Sequence, residues 1–218
     1  YPPVIEYEKI KSITKLFTEC FGFRPTSFRS GRFSAAGNTI SSLANLGYKV
    51  DTSVTPHVLW NDMTRKKAID FTEAREQPYF IKRGSILHAD RNGRLLEVPV
   101  SILERKANLP VEMLKGLFGL RRPVRRTIPV WLRPVYSSNE NLKSVIDNYL
   151  GRYNQEEIVI LNMMFHNVEV IPNLSPYCKN ETDSQNYLKQ LEFFFKYCAE
   201  LNIQSIGLSD VYDLYRPN

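Results

Sequence analysis

Several classes of protein are excluded by what this 218-residue sequence lacks. Its three cysteines, Cys20, Cys178 and Cys198, are widely spaced, so neither a disulfide framework nor a zinc-binding pattern is present. No apolar run approaches the roughly 20 residues that a membrane-spanning helix needs. No heptad or glycine repeat persists, which excludes a coiled coil and collagen. Few and unpaired cysteines favour a reducing compartment, and the cytoplasm is therefore our expectation.

Positive charge is concentrated in one segment of the chain. The sequence has 29 Lys and Arg against 23 Asp and Glu. Six cations and no acid lie between residues 113 and 139, namely Lys115, Arg121, Arg122, Arg125, Arg126 and Arg133. Such a segment is either a solvated loop or a surface for phosphate, nucleic acid or anionic lipid. Because no recognisable module with interleaved aromatic residues accompanies it, we expect no nucleic-acid partner.

Hydrophobic spacing predicts one α/β domain over residues 1–218, because helical and strand-like segments alternate. Helices are predicted over 4–21, after Ser34, over 64–75 and 111–118, after Ser138 and from Asp183. Strands are predicted over 48–54, 95–102, 128–132, 158–165 and 204–208. The segment 158–165 is almost continuously apolar, which is typical of a parallel strand that is buried on both faces.

Three polar residues follow or end predicted strands. Functional groups collect where parallel strands end, and His166 stands there with a side chain suited to acid–base catalysis. The alternative is a histidine satisfied by hydrogen bonds at a strand end. Arg29 carries a planar guanidinium that suits a carboxylate, although such an arginine alone is more typical of a surface residue. Asp51 either orients a histidine or caps the segment after its strand.

Three further residues are candidates for substrate binding. Glu97 places a charge inside an apolar strand, so it is either paired structurally or part of a site. Trp60 and Trp131 have broad faces that suit sugar rings, although core packing is the commoner role of tryptophan. The sequence has no phosphate-binding glycine loop, no closely spaced histidine pair and no GxSxG motif. The two remaining histidines, His57 and His88, have no metal-ligand partner nearby in the sequence.

A set of short strings resembles, in order and spacing, the polysaccharide deacetylases of carbohydrate esterase family 4. The strings include Phe28-Arg29-Ser30-Gly31, Asp51-Thr52-Ser53-Val54, Leu96-Glu97-Val98-Pro99, Asn162-Met163-Met164-Phe165-His166 and Ser175-Pro176-Tyr177. The resemblance extends from about Phe17 to Tyr215 and is greatest to the branch of bacterial surface-polysaccharide biosynthesis. It implies a distorted (β/α) barrel of about seven strands. It also implies hydrolysis of acetyl groups from sugars with a divalent metal, most often zinc.

The resemblance also implies roles for the candidate residues. His166 corresponds to the histidine that protonates the departing amine, Arg29 to the arginine that orients the catalytic aspartate, and Asp51 to the carboxylate that positions the histidine. Met164 stands where the family has a leucine that lines the pocket for the acetyl methyl group. The full set expected to bind substrate is Met164, Trp60, Glu97 and Trp131.

Two of the family's motifs are missing from the sequence: the aspartate pair and the histidine pair that supply the base and the metal ligands. Both belong before the helix that precedes Arg29, so we expect them upstream of Tyr1, in a barrel that is incomplete at its N-terminal end. Residues 1–218 are then expected to bind no metal by themselves. One hypothesis is a metal-dependent deacetylase of an acetylated sugar or polysaccharide. The other is an inactive, deacetylase-like domain that binds a glycan.

Overall fold

A computed structural model describes residues 2–60, 69–106 and 127–216. The predicted helix at 111–118, residues 64–68 of the one at 64–75 and five of the six clustered cations, Lys115 to Arg126, lie outside the described residues. The described part of the second prediction is wrong, because residues 69–75 begin with a short strand at Ile69–Asp70 and form no helix. The chain divides into two compact units, residues 1–100 with 202–218 and residues 101–201. In the described part of the chain, no helix has both the length and the apolar character needed to cross a membrane.

The described residues form five α-helices and nine short strands. The helices are α1 (Pro3–Phe21), α2 (Gly37–Asn45), α3 (Asn139–Arg152), α4 (Glu181–Glu200) and α5 (Leu208–Tyr215). The strands are β1 (Ser27–Phe28), β2 (Val50–Asp51), β3 (Leu59–Trp60), β4 (Ile69–Asp70), β5 (Tyr79–Lys82), β6 (Ser85–Ala89), β7 (Leu96–Glu97), β8 (Ile102–Lys106) and β9 (Thr127–Trp131).

Helix α1 confirms the helix predicted over 4–21. It ends because Gly22 adopts a left-handed conformation with φ of 76°, and the Gly22 N–H donates to Thr18 O at 2.9 Å. Helix α2 begins two residues later than a Ser34 cap predicts. The Ser34 hydroxyl instead donates to Gly31 O at 2.7 Å, and the side chain of Thr39 accepts from Ala36 N.

The first unit contains a five-stranded sheet in the order β1-β2-β7-β5-β6. Strands β1, β2 and β7 are parallel, whereas β5 is antiparallel to both β7 and β6. A separate antiparallel pair is formed by β3 and β4. The core of this unit combines apolar residues of α1, α2, the sheet and the segments between them, including Ile10, Leu43, Tyr48, Ile81 and Leu95. Burial of these side chains holds α1 and α2 against the sheet.

The second unit is built on the antiparallel pair β8 and β9. Helix α3 begins as predicted, because the Ser138 hydroxyl accepts from Asn141 N at 3.3 Å. The Tyr149 hydroxyl of α3 bonds both the N–H and the carbonyl of Ile102, which ties the helix to β8. Helix α4 begins slightly before Asp183, because the side chain of Asn180 accepts from the Asp183 N–H.

The expected barrel of about seven strands is wrong. The described residues form the five-stranded mixed sheet and two two-stranded sheets, with no closed barrel among them. The parallel strands β1, β2 and β7 are followed in the sheet by β5, which is antiparallel to β7. Strand β5 also forms an antiparallel hairpin with β6. The apolar segment 158–165 forms isolated backbone hydrogen bonds and no strand. The strand predicted over 204–208 is also absent from the structure.

Candidate functional site

The three parallel strands of the first unit bring predicted site residues to one edge of the sheet. Asp51 is the last residue of β2 and Glu97 is the last residue of β7, and the two are register partners. Phe28, the register partner of Asp51 on β1, is followed directly by Arg29. Because parallel strands end at a common edge, the three predicted residues share the carboxyl edge of this sheet.

Asp51 and Glu97 form a fully buried pair of carboxyl groups. The Ser53 hydroxyl donates to Asp51 Oδ1 at 2.8 Å, and the Val54 N–H donates to Glu97 Oε1 at 2.9 Å. Their remaining oxygens, Oδ2 and Oε2, receive no hydrogen bond from any other described group. Both are satisfied when the Glu97 carboxylic acid donates its proton to the Asp51 carboxylate. We call these two residues the acid pair.

Burial dominates the electrostatics of the acid pair. Loss of solvation raises the pKa of Asp51 to about 6, against the opposing effect of the hydrogen bonds from Glu97 and Ser53. Burial also raises the pKa of Glu97 well above its ordinary value, and the charge of Asp51 raises it further. The pair therefore holds one proton most firmly on Glu97, which leaves Asp51 as the acceptor.

Arg29 belongs to a stack of flat side chains. Its guanidinium lies 6.0 Å from the centroid of the Phe33 ring, and that ring stacks on Trp60 at 5.4 Å with an interplanar angle of 19°. The Trp60 indole N–H donates to the hydroxyl of Thr55 at 2.8 Å. We call residues 29–33 the Arg29 loop. The Ser53 hydroxyl accepts from Ser30 N at 2.9 Å, which connects this loop to the acid pair.

The backbone of the Arg29 loop is unusual at two positions. Arg32 and Phe33 have φ values of 54° and 53°, in the left-handed region that non-glycine residues rarely occupy. The neighbouring Gly31 does not have a positive φ. The strain falls instead on Phe33, the residue between Arg29 and Trp60 in the stack. Such strain persists where surrounding contacts enforce it.

The same unit contains a histidine–carboxylate pair that the sequence did not predict. His57 Nε2 and Glu76 Oε1 are 2.6 Å apart, although the two residues are 19 positions apart in the chain. His57 has a φ of 65° and follows Pro56 in a turn closed by a bond from Val58 N to Thr55 O. Glycine is the usual residue there. No local signal in the sequence indicates this pair, because the fold brings the two residues together.

The second unit contains the other predicted residues. Met164 is buried and its N–H donates to Leu132 O at 3.2 Å, next to the buried Trp131 at the end of β9. The preceding Asn162 exchanges hydrogen bonds with Ser101. His166 follows this segment and is exposed, and within the described residues no group bonds its imidazole. The predicted catalytic residues therefore belong to different units: Arg29 and Asp51 to the first and His166 to the second.

No metal centre is formed by the part of the chain that the structure describes. No group of three or more His, Cys, Asp or Glu side chains lies close enough there to hold a metal ion. The acid pair offers two carboxyl groups, but no third ligand among the described residues lies beside them.

Comparison of the chain with protein-family models, with curated proteins and with solved structures found no match. The geometry described above and the resemblance of the short strings are therefore the basis on which a function is proposed.

Proposed function

We propose that the protein hydrolyses acetyl groups from an acetylated sugar or polysaccharide, and that this chain supplies proton transfer and substrate positioning. The observation that carries the proposal is the placement of Arg29, Asp51 and Glu97 at the carboxyl edge of three adjoining parallel strands. These residues come from three separate strings of the deacetylase pattern. Their meeting at one sheet edge is the arrangement on which the proposed chemistry depends.

Proton transfer is assigned to His166. Hydrolysis of an acetamide needs a proton on the departing nitrogen, and an exposed imidazole can provide it. A positioned acid of this kind contributes about 10²- to 10⁴-fold in rate. A divalent metal, when bound, polarises the acetyl carbonyl and activates water. We place the ligands of that metal outside the described residues, since the described side chains form no such group.

Substrate positioning is assigned to the stack of Arg29, Phe33 and Trp60. The rings of Phe33 and Trp60 are only half-buried, so the exposed part of the stack offers apolar contact to a sugar ring. Arg29 adds donors for a carbonyl or carboxylate oxygen. Met164 is almost fully buried, so its role as a wall of the acetyl pocket requires that pocket to open beside it.

A second candidate function is glycan binding without hydrolysis. The complete burial of Asp51 and Glu97 favours it, because a carboxyl group that bonds only protein atoms is typical of a structural role. On this alternative the same stack binds a sugar, and His166 has no catalytic role.

Acetate release distinguishes the two candidates. The complete protein is supplied with zinc and with oligosaccharides carrying N-acetyl or O-acetyl groups, and free acetate is measured. We expect His166→Gln to lower the rate about 10²-fold or more. His88→Gln is the matched control, because His88 is exposed on β6 and bonds Ser85 of the same strand. Its rate is expected to stay within about twofold of wild type. Glycan binding by the wild type without any acetate release would replace the first candidate with the second.

A further inference from the structure

A buried ion pair lies just after β9 in the second unit. Arg133 donates through Nη2 to Glu169 Oε1, and both side chains are almost fully buried. The Tyr187 hydroxyl of α4 donates to the other oxygen, Oε2, at 3.0 Å. Arg133, which the sequence groups with the clustered cations, is therefore an interior residue. Removing both charges from water costs free energy that their mutual attraction barely offsets. The pair therefore contributes little to stability, and holding neighbouring side chains such as Tyr187 in place explains it better.

The ion pair stands behind an open cleft of about 470 Å³. Its polar and aromatic lining consists of Ser137, Tyr177, Asp183, Asn186, Tyr187 and Gln190. We call it the Tyr177 cleft. Tyr187 belongs to both the lining and the buried network, and the Arg133 guanidinium lies 5.8 Å from the centroid of the Tyr177 ring. The volume lies within the range of about 300–1,000 Å³ that is typical of small-molecule sites.

The lining of the Tyr177 cleft indicates a neutral ligand that is rich in hydroxyl groups. The amides of Asn186 and Gln190 both donate and accept hydrogen bonds, and the Asp183 carboxylate accepts them. Gln190 is held by a bond from its Nε2 to Ser137 O at 2.8 Å, which leaves its Oε1 as an acceptor. The Tyr177 ring is 44% exposed and offers an apolar face. The charge of Arg133 is already neutralised by Glu169, so the described lining offers no cation to an anionic ligand.

We propose that the Tyr177 cleft is a saccharide-binding subsite, formed by residues other than those assigned to catalysis. Sugar hydroxyls pair with the amides and the carboxylate, while the carbon face of the ring packs on Tyr177. The choice of a saccharide over other neutral polyols rests on the proposed function. Its binding can nevertheless be measured without any hydrolysis.

The test is a titration of the complete protein with a trisaccharide of β-1,4-linked N-acetylglucosamine, followed by calorimetry and amide NMR. We expect Asn186→Ala and Tyr177→Leu each to raise the Kd about fivefold, the effect of one hydrogen bond or one lost ring face. Gln185→Ala is the matched control, because this exposed neighbour on α4 bonds Glu181 and does not line the cleft. Its Kd is expected to equal that of the wild type.

Three results would overturn the subsite. The first is wild-type affinity for the trisaccharide in both cleft variants, and the second is no binding by the wild type at millimolar concentration. The third is a response of the cleft resonances to inorganic phosphate and not to the trisaccharide. Asn186 is exposed on a helix, so its replacement by Ala is expected to leave the fold intact even if Tyr177→Leu does not. Trisaccharide binding that depends on Asn186, without acetate release by the wild type, would retain the subsite and reject the deacetylase.

Discussion

The acid pair makes the stability of the protein depend on pH in an unusual direction. Burial raises the pKa of Asp51 to about 6 and that of Glu97 well above its ordinary value. In the unfolded chain both groups titrate near pH 4. The folded state therefore binds more protons between these values, so the contribution of the pair is complete below pH 4 and is lost as pH rises through 6. Tyr79 on β5 also faces the pair, and its pKa is raised by burial and by both carboxylates.

We expect the free energy of unfolding in urea to be lower at pH 8 than at pH 5, by an amount on the order of 1 kcal/mol from Asp51, with Glu97 adding to it in the same direction. Glu97→Gln keeps a donor towards Asp51 and cannot ionise, so it is expected to remove the contribution of Glu97 to this dependence, to leave that of Asp51, and to cost little at pH 6. Glu97→Ala is the contrasting variant, because it leaves Asp51 and Val54 N without their partner and is expected to cost about 3 kcal/mol. An unchanged pH profile in Glu97→Gln would contradict the shared proton.

Residue identity alone indicated part of this site. The sequence indicated that a carboxylate inside an apolar strand needs a partner, which the pairing of Glu97 with Asp51 satisfies. It could not identify that partner, because the two residues are 46 positions apart and meet only through the register of β2 and β7. The bond between His57 and Glu76 was also missed, because the two residues are 19 positions apart and lie in turns outside the strands. Contacts that depend on sheet pairing are not encoded in local spacing.

At the scale of elements, the helices were predicted better than the strands. Helices α1 and α3 have local signals, namely apolar residues at helical spacing, a serine cap or a glycine end. The strands are short, and their pairing is decided by distant partners, so most predicted strands exceed the observed ones in length. Segment 158–165 has the composition of a buried strand, yet its backbone bonds single residues of neighbouring segments and forms no ladder.

Two glycines allow a matched test of helix ends. Gly22 has a positive φ at the end of α1 and open space around its Cα, so Gly22→Ala introduces backbone strain without a clash. We expect it to lower the free energy of unfolding by about 1 kcal/mol. Gly151 lies inside α3, also in open space and without a positive φ. Gly151→Ala is therefore expected to raise the free energy of unfolding by about 0.5–1 kcal/mol. Equal effects in urea unfolding would mean that the Gly22 conformation does not end α1.

At the scale of the whole molecule, metal binding is the property that a titration tests most directly. The described side chains form no metal site, and the deacetylase motifs that hold a metal are absent from the sequence. We expect calorimetric titration of the 218-residue chain with zinc to show no tight, stoichiometric binding. One zinc per chain with submicromolar affinity would contradict this expectation. It would require ligands in residues 61–68 or 107–126, which lie outside the described structure.

The hydroxyl of Ser53 has a consequence for how the Arg29 loop responds to acid. It receives the N–H of Ser30 and gives its own proton to Asp51, so its orientation is set by the negative charge beneath it. A hydroxyl polarised in this way is a stronger acceptor than an isolated one. When acidification neutralises Asp51, that polarisation weakens and the attachment of Ser30 loosens with it. The protonation of the buried Asp51 thus changes a hydrogen bond of the Arg29 loop through one serine. Neither alanine nor valine can replace this serine, because both lack a hydroxyl.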